Sequence, residues 1–245
     1  MKRLRIVLAL LLIVIVGLGA VYVALQRWAT RRMTAVLRER VKAVVQNPGN
    51  LTVTNAPVKL LGPRRARIPR MEIDGNNLVM PSAIDVKSAR VTLCNVEVGG
   101  QSPATMRFDD GDFAVTLTDE AVTRYLQRQP DYQVNGVTVE TKSLTVHFRD
   151  GAVDVEGNAV LPQSTQQRGF TMQGALMPTS DGRGVRCAIT RVEVPGRPDI
   201  NPHLLGDIDQ QLPLRTLLPN AAVKRITTLQ LGDGTLTLRG TLEEQ

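Results

Sequence analysis

The sequence predicts an α+β protein that is mostly antiparallel β. We expect an N-terminal transmembrane helix, followed by a curved antiparallel sheet of hairpins packed on a few helices. Three observations support this prediction. Residues 6–25 form an uncharged apolar run; Asp-Gly pairs at 110–111, 150–151 and 233–234 lie between alternating apolar and polar residues; and only two short segments after residue 50 have helical spacing.

The apolar run 6–25 is long enough to span a membrane. Its 20 residues carry no charge, and at ~1.5 Å rise per residue they cross a hydrocarbon core of ~30 Å. Basic residues precede the run as in a secretory signal, but the run is long for a signal peptide and no small-x-small cleavage site follows. We therefore interpret residues 1–25 as an uncleaved signal-anchor.

Residues 26–46 are predicted to form a basic amphipathic helix next to the membrane. Apolar side chains recur on one face, and Arg31, Arg38 and Lys42 lie on the opposite face. In one interpretation the helix lies along anionic lipid with Trp28 at the interface. In the other it is a stalk helix that docks its apolar face on the following domain, residues 47–245.

Most of the excess positive charge belongs to the N-terminal segment. Residues 1–42 contain nine Lys or Arg and one acid, whereas the remaining 21 basic and 22 acidic residues nearly balance. Only six aromatic residues follow residue 42, so the domain lacks the basic, aromatic face that nucleic-acid binding requires.

The charges near the membrane do not fix the orientation. More basic residues follow the apolar run than precede it, which by charge alone places the domain in the cytoplasm. The signal-like N-terminus favours the opposite side. We expect a single-pass membrane protein with an extracytoplasmic domain, and both orientations stay open at this point.

The domain reads as strands with two short helices. Thr118 is a predicted N-cap followed by Asp119 and Glu120, and this helix ends at Pro130. A second, leucine-rich helix is predicted from Asn201 to Pro213. The predicted strands are 51–61, 67–80, 85–98, 105–117, 133–140, 143–149, 152–161, 170–177, 184–194, 223–231 and 235–242.

The Asp-Gly pairs predict three hairpins with one apolar face each. A turn at 150–151 places Phe148 opposite Val153, and a turn at 233–234 places Leu231 opposite Leu236. A turn at 110–111 would place residue 108 opposite residue 113. Because a slip of one residue would expose each apolar set, we predict antiparallel hairpins with one buried face. Glycines at 157 and 240 mark a bend or a close approach.

We find no catalytic pattern and predict neither an enzyme nor a cofactor or metal site. His147 is expected opposite Asp154 on the polar face of its hairpin, where such pairs are usually surface contacts. His203 has no visible partner. The two cysteines, Cys94 and Cys187, are too few for a zinc site. We interpret them as core thiols, and a disulfide between them is an alternative only outside the cytoplasm.

The segment GPRRARIPR, residues 62–70, is the one basic cluster of the domain. Arginines bind lipid phosphates through paired hydrogen bonds, although a charged loop is commonly just solvated. The candidates for headgroup or membrane-surface contact are Arg64, Arg65, Arg67, Arg70, Arg31, Arg38, Lys42 and Trp28.

Three segments resemble the LmeA-like phospholipid-binding family: VTLTDEAVTRYL, the hairpin LTVHFRDGAVDVEGNAVL, and the closing run DINPHLLGDIDQQLPLRTLLPNAAVKRITTLQLGDGTLTLRG. The resemblance covers about residues 105–242. It implies an exported, membrane-associated bacterial envelope protein that binds phospholipid, with a tubular lipid-binding type of fold, in which a curved sheet wraps a helix and leaves an apolar groove for acyl chains.

The resemblance turns the apolar hairpin faces into candidates for the lining of that groove. They are Leu144, Val146, Phe148, Val153, Val155, Leu229, Leu231, Leu236 and Leu238. The first hypothesis is lipid handling without covalent chemistry, with phospholipid and membrane as partners. The alternative is a structural or scaffolding envelope module with a fully packed core and protein partners, since the same aliphatic residues suit an ordinary core.

Overall fold

A computed structural model describes residues 31, 45–47, 50–62, 65–80, 84–99, 105–134, 137–160, 167–195, 208–211 and 221–244. The predicted anchor 1–25, nearly all of the juxtamembrane helix 26–46 and most of the leucine-rich segment 201–213 lie outside these ranges. Within them, no helix has the length and apolar character needed to cross a membrane.

These ranges form strands and one helix. In chain order they are β1 (Leu51–Asn55), β2 (Lys59–Gly62), β3 (Arg65–Leu78), β4 (Val86–Gly99), β5 (Thr105–Arg107), β6 (Asp110–Thr118), α1 (Asp119–Gln127), β7 (Tyr132–Val134), β8 (Val137–Arg149), β9 (Ala152–Val160), β10 (Gln167–Pro178), β11 (Gly184–Glu193), β12 (Ile208–Gln211), β13 (Ala221–Gly232) and β14 (Thr235–Glu244).

The strands form two antiparallel sheets. The first has the order β1-β3-β4-β6-β14-β13, with β2 also beside β3 and β5 beside β4; the second has the order β12-β11-β10-β9-β8-β7. The predominantly antiparallel β fold is confirmed. The expectation of one sheet was wrong, because the described strands form two sheets. The leucine-rich helix predicted between Asn201 and Pro213 was wrong where the structure describes that segment, since Ile208–Gln211 form β12 beside β11.

Two of the three predicted hairpins are confirmed. In β8–β9, Phe148 is opposite Val153, and in β13–β14, Leu231 is opposite Leu236. The turn glycines Gly151 and Gly234 have φ of 75° and 64°, a conformation that only glycine adopts without strain.

The predicted turn at 110–111 was wrong. Asp110 and Gly111 lie inside β6, where Gly111 is opposite Leu93 of β4 and Leu242 of β14. A Cβ on Gly111 would lie 2.7 Å from a methyl carbon of Leu93 and 2.8 Å from the carbonyl oxygen of Thr92. This glycine therefore allows a close approach of strands, and β5 and β6 both pair with β4 rather than with each other.

The glycines inside β9 and β14 lie at close approaches, as predicted. A Cβ on Gly157 would come 2.7 Å from Leu144 and 3.2 Å from the ring of Phe170. A Cβ on Gly240 would overlap the carbonyl oxygen of Arg225, next to register irregularities in β13. The Gly240 contact and the irregularities beside it mark a bend in the first sheet, whereas Gly157 lies in the second sheet.

Helix α1 closes the outer edge of β8. β7 pairs only with the first residues of β8. Further along, the Val146 amide donates to Thr123 Oγ1 at 2.9 Å, and Gln127 Nε2 donates to the Leu144 carbonyl at 2.8 Å. Thr118 caps the helix as predicted, accepting from the Ala121 amide at 3.2 Å. The helix thus supplies hydrogen-bond partners to backbone groups of an edge strand that would otherwise be open to pairing with another chain.

The apolar faces of both sheets share one core. Leu93 and Leu238 of the first sheet are fully buried in it, together with Phe148 and Val153 of the second. A separate small cluster lies further along the second sheet and contains Ile189, Val192 and Val194, with Phe170 and Met172 packed against it.

Candidate functional site

The structure brings the nine groove candidates together. Leu144, Val146, Phe148, Val153, Leu231, Leu236 and Leu238 are buried. Val155 and Leu229 are partly buried and pack against the shared core. The alternation read from the sequence therefore places all nine on inward faces, most of them within one continuous apolar interior.

None of the nine groove candidates lines either of two cavities found among the described residues. The larger one, about 1050 Å³, is on the second sheet, where Thr145, Glu156 and Thr171 meet the Val192–Val194 end of the small cluster. The other, about 690 Å³, lies on the polar face of the first sheet around Ala114; we call it the polar hollow.

Sequence reasoning missed the polar hollow. Its lining comes mainly from β3, β4, β6 and β14, and β6 and β14 are more than a hundred residues apart in the chain. The local signal was only an alternation of threonines with apolar residues, which is typical of any exposed sheet face.

Two of the basic candidates are paired with acids. Arg67 Nε donates to Glu97 at 3.0 Å, and Arg70 Nε donates to Glu72 at 2.7 Å. Arg31 is exposed. Arg65 lies in β3, but its side chain, like Arg64, Arg38, Lys42 and Trp28, lies outside the described part of the structure.

His147 is opposite Asp154, as predicted, but Asp154 forms its ion pair with Arg149 at 2.8 Å. His147 Nδ1 instead lies 3.9 Å from Asp119 Oδ2 at the start of α1. The described residues contain no group of three His, Cys, Asp or Glu side chains that could hold a metal ion. This arrangement joins a helix to a strand and presents no nucleophile to a base.

Neither Cys94 nor Cys187 forms a disulfide bond in the structure. Burial raises the pKa of the Cys94 thiol above its usual range, and the neighbouring Asp110 carboxylate raises it further. A thiol held in its protonated form is a poor nucleophile, so Cys94 does not resemble a catalytic cysteine.

Comparison with known families shows which family this chain belongs to. The model of the LmeA-like phospholipid-binding family matches residues 24–241. The chain belongs to this family. The match extends the resemblance seen in the sequence from the C-terminal half to nearly the whole chain, and no curated protein or solved structure matches. The LmeA-like family is a phospholipid-binding family and not a known enzyme family.

Proposed function

We propose that this LmeA-like protein is a membrane-anchored envelope protein that binds the acyl chains of a phospholipid in an apolar groove and handles the lipid without covalent chemistry. The observation that carries the proposal is the family match over residues 24–241. The aliphatic inner faces of the two hairpins support it, because each buried methylene of an acyl chain contributes ~0.8 kcal/mol.

The groove lies where the inner faces of the sheets are least tightly enclosed. Val155 and Leu229 are only partly buried at the margin of the shared core. On the second sheet the apolar face continues beyond this core to Met172 and Val192, which are opposite each other. An acyl chain that extends along this face would lie against side chains from four neighbouring strands.

The N-terminal segment holds the domain at the membrane in this proposal. Residues 1–25 form the anchor, the domain lies on the extracytoplasmic side, and the basic residues of 26–46 contact lipid phosphates. A second lipid contact is proposed at Lys59, whose side chain is exposed and which is opposite Arg67 in the β2–β3 pair, where Glu97 already balances the charge of Arg67. Leu61 beside them is 52% exposed.

A scaffolding module is the second candidate. Seven of the nine groove candidates are buried in the described structure, and the two cavities are lined by other residues. A packed interior of this kind suits a protein whose partners are other proteins.

Photo-crosslinking separates the two candidates. The full-length protein is reconstituted in vesicles that contain a phospholipid with a diazirine at mid-chain, illuminated and mapped by peptide mass spectrometry. The proposal predicts adducts on Val155, Met172 and Leu229. Their sequence neighbours Asp154, Gln173 and Gln230, on the outer faces, serve as controls and remain unlabelled. Labelling confined to residues 1–46 contradicts an acyl groove and favours the scaffold.

A further inference from the structure

The polar hollow has a regular arrangement of side chains from three neighbouring strands. Arg90 of β4 and Arg239 of β14 are both opposite Ala114 of β6. Since neighbouring strands are ~4.8 Å apart, the Cα atoms of the two arginines are on the order of 10 Å apart, and the methyl group of Ala114 lies between them. Both guanidinium groups therefore have the length to reach over Ala114.

Arg90, Ala114 and Arg239 form a central row across the three strands. Hydroxyl groups occupy the rows on either side of it. Thr116 of β6 is opposite Ser88 and Thr237 in one neighbouring row, and Thr116 Oγ1 lies 3.3 Å from Thr237 Oγ1. In the other, Asp112 is opposite Thr92 and Thr241. The short side chain of Ala114 leaves the centre open, and the hollow measures about 690 Å³.

The four charged side chains of the hollow are not paired in the same way. Arg90 Nε lies 2.6 Å from Asp74 Oδ1, which fixes this arginine at one side. Arg239 and Asp112 have neither an ion pair nor a side-chain hydrogen bond to any residue that the structure describes. They are diagonal neighbours across β6 and β14, with ~7–8 Å between their backbones. One cation and one anion thus face the same hollow without binding each other.

We propose that the polar hollow binds a phosphate ester that carries a primary amine, the chemistry of a zwitterionic phospholipid headgroup. The phosphate accepts hydrogen bonds from Arg239 and from the hydroxyls of Thr116 and Thr237, and the ammonium group pairs with Asp112. Charge-assisted bonds of both kinds are stronger than neutral ones, and a planar guanidinium suits a phosphate.

This site is distinct from the acyl groove. The polar side chains of the hollow lie on the outer face of the first sheet, opposite to the buried Val115 and Leu238 of the same strands. A lipid bound there would leave its chains outside the protein interior, so the inference goes beyond the proposed function and does not depend on the groove.

Calorimetry on the full-length protein in an uncharged maltoside detergent tests the site with water-soluble probes. Glycerophosphoethanolamine carries both charges, glycerophosphoglycerol lacks the amine, and inorganic phosphate lacks the headgroup. We expect the wild-type protein to bind glycerophosphoethanolamine more tightly than the other two. Arg239→Gln is expected to weaken this binding at least tenfold, and Asp112→Asn to abolish the preference over glycerophosphoglycerol.

Three further variants keep the test specific. Ala114→Tyr fills the hollow without changing its charge and is expected to abolish binding. Arg239→Lys keeps the positive charge and is expected to retain part of the binding that Arg239→Gln loses. Arg128→Gln removes an exposed arginine outside the hollow and should bind like wild type. All of these side chains are on the surface or partly exposed, so each variant is expected to fold. The thermal unfolding midpoint verifies this.

Unchanged binding in Arg239→Gln, or equal binding of inorganic phosphate and glycerophosphoethanolamine, overturns the headgroup site; the second result identifies a site for free phosphate. Short-chain dihexanoyl phosphatidylethanolamine distinguishes the two sources of this ester. Binding of it identifies a lipid headgroup as the ligand, whereas failure to bind it, with glycerophosphoethanolamine still bound, identifies a soluble ester with the same chemistry. These results leave the acyl-chain crosslinks unaffected, so the two proposals fail separately.

Discussion

The amide of Gly234 donates a hydrogen bond to the carbonyl oxygen of Phe148 at 3.0 Å, which ties the turn of the β13–β14 hairpin to the second sheet. The ring of Phe148 is buried in the core that both sheets share. A second backbone bond, from Ile226 to Gly182 at 2.7 Å, joins the same two sheets at the β10–β11 turn. The described sheets therefore form one packed unit.

Truncation of Phe148 tests this unit. Phe148→Ala is expected to reduce the free energy of unfolding by about 3–5 kcal/mol, because a large buried ring is replaced by a cavity. Chemical denaturation of the full-length protein measures the change. The control, His147→Ala, alters the exposed neighbour on the same strand and should change stability by less than about 1 kcal/mol. Equal effects of the two variants would contradict a shared core.

Gly240 and Gly151 provide a matched pair of glycine substitutions. Gly240→Ala is expected to destabilise the protein by several kcal/mol, roughly 3 or more, because the new methyl group overlaps the Arg225 carbonyl and the Phe113 ring. Gly151→Ala meets no atom within 4 Å and is expected to cost only about 1–2 kcal/mol of backbone strain. Thermal unfolding ranks the two, and the reverse order would show that β14 does not approach β13 closely.

The edge of β8 depends on a hydroxyl of α1. Thr123→Val removes the acceptor for the Val146 amide, and an unsatisfied amide is expected to cost about 1–3 kcal/mol. Hydrogen exchange of the Val146 amide should become faster, whereas Thr123→Ser, which keeps the hydroxyl, should leave the exchange rate nearly unchanged. Equal exchange in both variants would contradict this role of the helix.

The environment of Cys94 predicts a thiol that reacts slowly. Since its raised pKa lowers the thiolate fraction at any given pH, the pH profile of alkylation should lie at higher pH than that of an ordinary cysteine. Asp110→Asn removes the neighbouring carboxylate and should shift the profile towards lower pH. Iodoacetamide labelling in a Cys187→Ser background measures both, and a profile that does not respond to Asp110→Asn would rule out this electrostatic effect.

Local patterns in the sequence were sufficient for the hairpins at Gly151 and Gly234 and for the cap at Thr118, since the residues that determine them are neighbours in the chain. Gly111 misled the prediction because its role is set by Leu93 of another strand. The separation into two sheets and the polar hollow likewise depend on pairing between strands that are far apart in the sequence. Local sequence patterns do not determine such pairing. The same holds for His147, whose nearest carboxylate belongs to α1.

Native mass spectrometry of the full-length protein, purified in a mild detergent without added lipid, tests phospholipid binding most directly. The account predicts a co-purified phospholipid at about one per chain, with an intact mass after extraction because no bond in the lipid is broken. Leu229→Asp should lower its occupancy, while Gln230→Asp, on the opposite face of the same strand, should retain it. A wild-type protein that is repeatedly free of phospholipid, although folded by thermal unfolding, would contradict the account.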